Sequence, residues 1–210
     1  MKKLTITITL LILIAVGFTI YKSYSDGSFM KKDEKDTAII VKKFINMMIP
    51  HHQEAVTSSM KVMNDLEISE PKLRIFAANV VDIQSFEISK MKNIHEQYLG
   101  GEYIPTMSMD MSMDGKNTDG HYKHMMSDTT NLKGDELAKT YTKDMIKHHK
   151  KAIEEAKDFI KAIDKAKKSS SNTENGLTIT NSHPAVDETY QIAKDIIESQ
   201  TKEIEILKAL

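Results

Sequence analysis

The sequence predicts an all-α fold: a four-helix bundle made of two repeated helical hairpins, with an N-terminal transmembrane or signal helix ahead of it. Three observations carry this. First, Met48-Ile49-Pro50-His51-His52 returns as Met145-Ile146-Lys147-His148-His149, with Phe44/Tyr141, Ala55/Ala152 and Val56/Ile153 paired at the same offset. Second, each copy is followed by another echo, Gln84-Ser85-Phe86-Glu87-Ile88 and Gln200-Thr201-Lys202-Glu203-Ile204. Third, inward-reading residues recur in alternating steps of four and three, the seam of a packed bundle helix. An internal repeat of this kind sets the architecture before any local detail.

Residues 1–25 read as a targeting segment. Lys2 and Lys3 precede a run without charge from Leu4 to Tyr21, close to the 17–25 residues that span a bilayer. A retained signal anchor is expected, with the lysines inside and the domain outside the cytoplasm. Cleavage after Ser25 is the competing reading and would make the protein secreted or periplasmic. The bundle is expected over 36–210, with the first repeat at about 36–98 and the second at about 135–210.

The first helix is expected from Asp36, an N-cap residue, to about Leu66, with the inner stripe Val41, Ile45, Met48, His52, Ala55, Ser59, Val62, Leu66. Pro50 within it is expected to kink the helix. The second begins at Pro71 and ends at Tyr98 before Gly100-Gly101, with the stripe Leu73, Ala77, Val80, Gln84, Glu87, Met91, Ile94, Tyr98. Residues 99–133 lack helical period and are rich in Gly, Ser, Asp, Asn and Met. The third helix is expected from Asp135 to Ala166, with the stripe Ala138, Thr142, Met145, His149, Ala152, Ala156, Phe159, Ile163. After a Lys/Ser/Asn-rich loop at 167–182, the fourth starts at Pro184, with Ala193, Ile196, Gln200, Glu203 and Leu207 inward.

Composition excludes several functions. There is no Cys, so disulfides, thiolate metal sites and Cys nucleophiles are all absent, and the net charge is −1 with no clustered basic face for nucleic acid. The anomaly is 14 Met residues.

The stripes put His52, His149, Glu87 and Glu203 inward at mid-height, with Met48 and Met145 one turn before the histidines. His51 and His148 are rotated about 100° toward a helix interface or solvent. Two readings fit this cluster. One is a His–Glu clamp that fixes register, with Gln84 and Gln200 satisfying the remaining polar groups; spacing alone favours it slightly. The other is a metal site of imidazole, thioether and carboxylate. Residues outside the helices tip the balance. Met107, Met109, Met111 and Met113 alternate with small polar residues, and His121, His124, Met125 and Met126 follow. Thioethers are soft ligands suited to Cu(I), so this tract is expected to bind metal. His95, one turn after Met91, reads as a surface histidine.

The pattern Met-Ile-x-His-His-x-x-Ala-Val/Ile, followed by Gln-x-x-Glu-Ile, resembles the domain-of-unknown-function 305 family. The first copy matches through Met48, Ile49, Pro50, His51, His52, Ala55, Val56, Gln84, Glu87, Ile88 and Met91. The second departs at Lys147 and Leu207, and the family's further Met is Ser58 in one copy and Glu155 in the other. The resemblance implies a ferritin-like bundle, export, and copper binding outside the cytoplasm. The expectation is therefore a copper-binding protein of the cell envelope, preferring Cu(I) to Cu(II), with silver as a second candidate cargo and another copper-handling envelope protein as a candidate partner. Its expected ligands are Met48, His51, His52, Met145, His148, His149, Glu87, Glu203, Met91, Met107, Met109, Met111, Met113, His121, His124, Met125 and Met126. The alternatives are a structural or partner-binding bundle and, more remotely, a di-metal oxidase. That enzyme class uses Glu-x-x-His pairs, which the sequence lacks, so no enzyme activity is expected.

Overall fold

The structure, a computed structural model, describes residues 32–104, 124–170 and 183–210. The N-terminal segment, Met107 to Met113 and His121 lie outside these. The described residues form four helices and no strand: α1 (Lys32–Asn64), α2 (Pro71–Tyr98), α3 (Gly134–Ser170) and α4 (Pro184–Ala209). Among them no helix is long and apolar enough to cross a membrane.

The helix ends follow from local chemistry. Pro71 and Pro184 open α2 and α4, where a missing N–H costs nothing. The Glu70 carboxylate caps α2 by accepting the Lys72 N–H at 2.9 Å, and the His183 ring accepts the Ala185 N–H at 3.2 Å. Beyond Tyr98, Gly100 and Gly101 take φ values of 113° and 92°, which residues with a Cβ disfavour. α1 continues through Pro50 but stops two residues short of Leu66. There Asp65 accepts the Glu67 N–H at 2.8 Å and the Gly134 N–H at 2.8 Å. This turn carries Leu66 out of the stripe to 78 % exposure. α3 is longer than its sequence pattern suggests at both ends. Its first inward residues are Leu137 and Tyr141, with Ala138 and Thr142 only half-buried. The Tyr141 hydroxyl lies 2.7 Å from Ser59 Oγ and holds that face inward.

Cross-helix contacts give the directions. α1 meets α3 at Phe44–Phe159, His51–His148 and Ser59–Tyr141. One number falls as the other rises, so the two helices are antiparallel. α1 and α2 form one antiparallel hairpin, with Lys42 near Leu99, and α3 and α4 form the other, with Asp164 near Tyr190. α2 and α3 therefore run the same way, so the end of α2 and the start of α3 lie at opposite ends of the bundle. The described stretch before α3 runs beside α1. Met125 bonds Glu54, Thr129 accepts from Lys61, and Gly134 bonds Asp65.

The buried side chains sort into two apolar clusters. One gathers Ile45, Met48, Met91, Ile94, Phe159 and Ile196; the other gathers Val62, Phe76, Val80, Tyr141, Met145 and Leu207. On all four helices the residues between the two clusters are polar: His51 and His52, Gln84 and Glu87, His148 and His149, Gln200 and Glu203. All eight are buried. Burial of apolar surface at roughly 25 cal/mol per Å² drives both clusters. The polar layer opposes that gain unless its groups find partners.

Candidate metal centre

Helical spacing turns His52 and Glu87 toward each other within the first hairpin. His52 Nε2 and Glu87 Oε2 form a hydrogen bond of 2.8 Å, with His52 fully buried. In the second hairpin His149 Nε2 and Glu203 Oε2 are also 2.8 Å apart. These two atoms nevertheless lack hydrogen-bond alignment with any group, so their closeness is an electrostatic contact. The two halves are alike in composition and unlike in geometry.

A neutral imidazole that donates Nε2–H to a carboxylate keeps its lone pair on Nδ1. His52 Nδ1 and His149 Nδ1 are both buried and neither has a hydrogen-bond partner among the described atoms. A carboxylate behind one ring nitrogen with an open lone pair on the other is how proteins orient a metal-binding histidine. Glu87 thus stands behind the His52 ring as its acceptor, while Glu203 lies equally close to His149 without that alignment. Met48 and Met145 are fully buried one turn before the two histidines. Met48 shares its cluster with the equally buried Met91, whereas the second repeat has Leu207 at the position of Met91. Among the described residues no three His, Cys, Asp or Glu side chains are placed to hold an ion. The buried thioethers of Met48 and Met145 are the soft donors this layer offers beside the two rings.

The glutamines do not play the part the clamp reading gives them. Both side-chain nitrogens and both oxygens of Gln84 and Gln200 are buried without a protein partner. A layer selected only to fix register would leave few such orphans.

His51 and His148 occupy the helix interface. Their ring centroids are 3.7 Å apart at a 40° angle, and both residues are at most 1 % exposed. Burial pushes both imidazoles below their ordinary pKa. For His51 the neighbouring His148, His52 and His149 push further down, while for His148 a bond to Glu54 partly opposes the effect. Two neutral rings can pack this closely; two cations cannot.

Sequence reasoning missed Glu54 and Asp144. Glu54 is 8 % exposed. It lies 3.3 Å from His148 Nε2 and accepts from His124 Nδ1 at 3.0 Å and from the Met125 and Met126 N–H groups at 2.9 Å each. Burial raises its pKa, but the bonds from His148, Met126 and His124 outweigh this and hold the carboxyl below its usual range. With His148 neutral, that contact is an N–H donated to a carboxylate. Asp144, 5 % exposed, accepts the Ser127 N–H at 3.0 Å. The available signal was position: Glu54 is one turn after His51, and Asp144 one turn before His148.

Of the tract residues, His124 has a half-exposed side chain. Met125 and Met126 are half-buried, and Met126 packs on the second apolar cluster, so these three belong to the bundle surface. His95 is buried, contrary to the surface reading. Its Nδ1 lies 2.9 Å from the Gly101 carbonyl and its ring meets Tyr103 edge-on, because the chain folds back over it at the two glycines.

Among solved structures, the chain is similar to CopM in the Cu(II)-bound form, at 25% identity and a TM-score of 0.54 over 79% of this chain and 91% of that one. It is similar to CopM in the Cu(I)-bound form at 23% identity, TM-score 0.51, over 86% and 95%. A DUF305 protein from Streptomyces coelicolor, named as a secreted protein, matches at 20% identity, TM-score 0.51, over 80% and 89%. No curated protein matches. The family model described as Domain of unknown function (DUF305) matches residues 42–172, more than half of the chain, and with the duplicated Met-Ile-x-His-His helices inside that match the chain belongs to this family.

Proposed function

We propose that this protein binds copper as cargo in the cell envelope, in a ferritin-like bundle that holds the ion without turning over a substrate. The observation that carries the reading is the pair of buried, unpartnered Nδ1 atoms on His52 and His149, each backed by a carboxylate and each one turn from a buried methionine. Cu(I) is the preferred state, with Ag(I) as an analogue, because the buried methionines one turn from the two rings offer soft thioether donors. Likeness to CopM, solved in Cu(I)-, Cu(II)- and Ag-bound forms, supports copper and silver as the class of cargo. Met48, His52 and Met91 in the first half, and Met145 and His149 in the second, are the inner candidate ligands. Glu87 and Glu203 orient the rings. Met107, Met109, Met111, Met113 and His121 form an outer set that takes up soft cations first. An N-terminal anchor, or export with cleavage, would place both sets where a partner protein delivers or collects the ion.

The test is a Cu(I) competition titration on three proteins: wild type, a variant with Met107, Met109, Met111 and Met113 changed to Leu, and a variant with His52 and His149 changed to Leu. The reading expects each variant to lose part of the wild-type stoichiometry. Leu keeps apolar bulk and removes the sulfur. Full stoichiometry in the Met variant would reduce the tract to a linker, and full stoichiometry in the His variant would leave the polar layer a clamp.

A further inference from the structure

The carboxylate of Glu54 joins two things that the sequence keeps far apart. On one side is His148, the buried ring stacked on His51. On the other are His124, Met125 and Met126, the end of the Met/His tract, bound through one imidazole and two backbone N–H groups. Asp144 extends the grip to the Ser127 N–H. Three successive backbone donors are thus directed into two buried carboxylates, one from α1 and one from α3. The second repeat has nothing comparable. The position matching Glu54 is Lys151, half-exposed and paired with Glu154 and Glu155 on its own helix.

Anchoring a connection does not require this. Leu132 holds the same segment by packing on the apolar core, and Lys61 and Asp65 hold its far end. A buried carboxylate is costly to desolvate unless it is well bonded, so placing one here needs a reason beyond tethering. Two of its donors are imidazoles, and a carboxylate on one ring nitrogen fixes the tautomer and orientation presented by the other.

We propose that Glu54 is a positioning residue that couples His124–Met126 to the His51/His148 pair, so that a soft ion bound at either is felt at the other. The inference rests on the copper-binding reading above and adds His124–Met126 and the His51/His148 pair to its donors, with communication between them. Such coupling is reciprocal: if binding at the tract end strengthens binding at the pair, the reverse holds by the same factor.

The test uses the full-length chain and two measurements. Without metal, amide hydrogen exchange is followed at Met125, Met126 and Ser127. Glu54→Gln keeps the shape but removes the charge and one of the two acceptor oxygens, so the donors on Oε1 and His148 on Oε2 no longer both face a carboxylate oxygen; exchange at Met125 and Met126 is expected to rise about tenfold or more, with the helix amides unchanged as the folding check. With Ag(I) as probe, a double-mutant cycle of His124→Ala and His148→Ala is run in the wild-type and in the Glu54→Gln background. A coupling factor of at least about 5 is expected in the first and none in the second. Asp144→Asn releases only Ser127 and provides a milder variant, expected to lower the coupling partly, should Glu54→Gln not fold. Unchanged exchange overturns the proposal, as does coupling that survives Glu54→Gln. Faster exchange with no coupling in either background reduces Glu54 to a structural anchor and also overturns it. Absence of Ag(I) and Cu(I) binding by the wild type is a different result, in which the copper-binding reading itself falls.

Discussion

Removing the carboxylate behind His52 separates stability from metal binding. In Glu87→Ala, the Nε2–H of a fully buried imidazole loses its 2.8 Å acceptor. A hydrogen bond involving a charged group contributes roughly 1.5–3 kcal/mol, so unfolding free energy is expected to fall by about that much. Metal affinity should fall as well, because loss of a carboxylate that orients a ligating histidine typically costs 10–100-fold, about 1.4–2.7 kcal/mol. Glu87→Gln keeps an acceptor oxygen and should lie between wild type and Ala on both scales. The matching change Glu203→Ala should cost less stability, since its contact with His149 is close without hydrogen-bond alignment. The assays are urea unfolding of the apo protein and Cu(I) competition titration on the same samples. Glu87→Ala protein that is destabilised yet binds Cu(I) as tightly as wild type would refute the orienting role and return the His52–Glu87 pair to architecture.

Two further outcomes are expected. Stability should fall as pH drops below about 6.5, the ordinary histidine pKa. Burial, with neighbouring histidines, holds His51 and His148 below that value in the folded state, so the unfolded chain takes up more protons, with a slope of at most about 1.4 kcal/mol per pH unit for each ring. Glu54, also depressed, adds a loss of the same sign at lower pH, below the ordinary glutamate range. Urea midpoints from pH 7.5 to 5 check this, and a slope that is flat or reversed over that interval contradicts the placement of the two rings. Tyr141→Phe removes the hydroxyl 2.7 Å from the fully buried Ser59 Oγ and should cost about 1–3 kcal/mol for a stranded polar group; thermal melts that match wild type would show that Ser59 finds another partner.

The helices were legible because their signals are local and repeated. Proline at the first turn, glycines after Tyr98 and a four-three stripe each act within a few residues. α2 accordingly has the expected ends, Pro71 and Tyr98, and α4 the expected start. Leu66 and the first turn of α3 were misread because a tertiary contact decides them: Asp65 reaching Gly134, and Tyr141 reaching Ser59. The polar layer was legible for His52, Glu87, His149 and Glu203, which lie on the stripes. His51 and His148 were left between interface and solvent, since a rotation of 100° does not say which neighbour waits there. Glu54 was invisible for a different reason. A single glutamate beside a buried alanine reads as a solvated face until the returning chain is seen to cover it.

The ring stack at the bundle centre has a consequence for symmetry. His51 and His148 are counterparts in the repeat, and they meet each other across an antiparallel pair of helices. A residue that touches its own counterpart is the mark of a two-fold axis, the contact that a symmetric dimer makes with a second copy of itself. Each hairpin already contains a complete His–Glu pair, His52 with Glu87 or His149 with Glu203. A dimer of one such hairpin with a twin would form a stack of this kind at its axis, beside apolar contacts like those that join α1 to α3 here. Within one polypeptide the two halves can differ. Glu54 against Lys151, and Met91 against Leu207, are differences that no homodimer can hold.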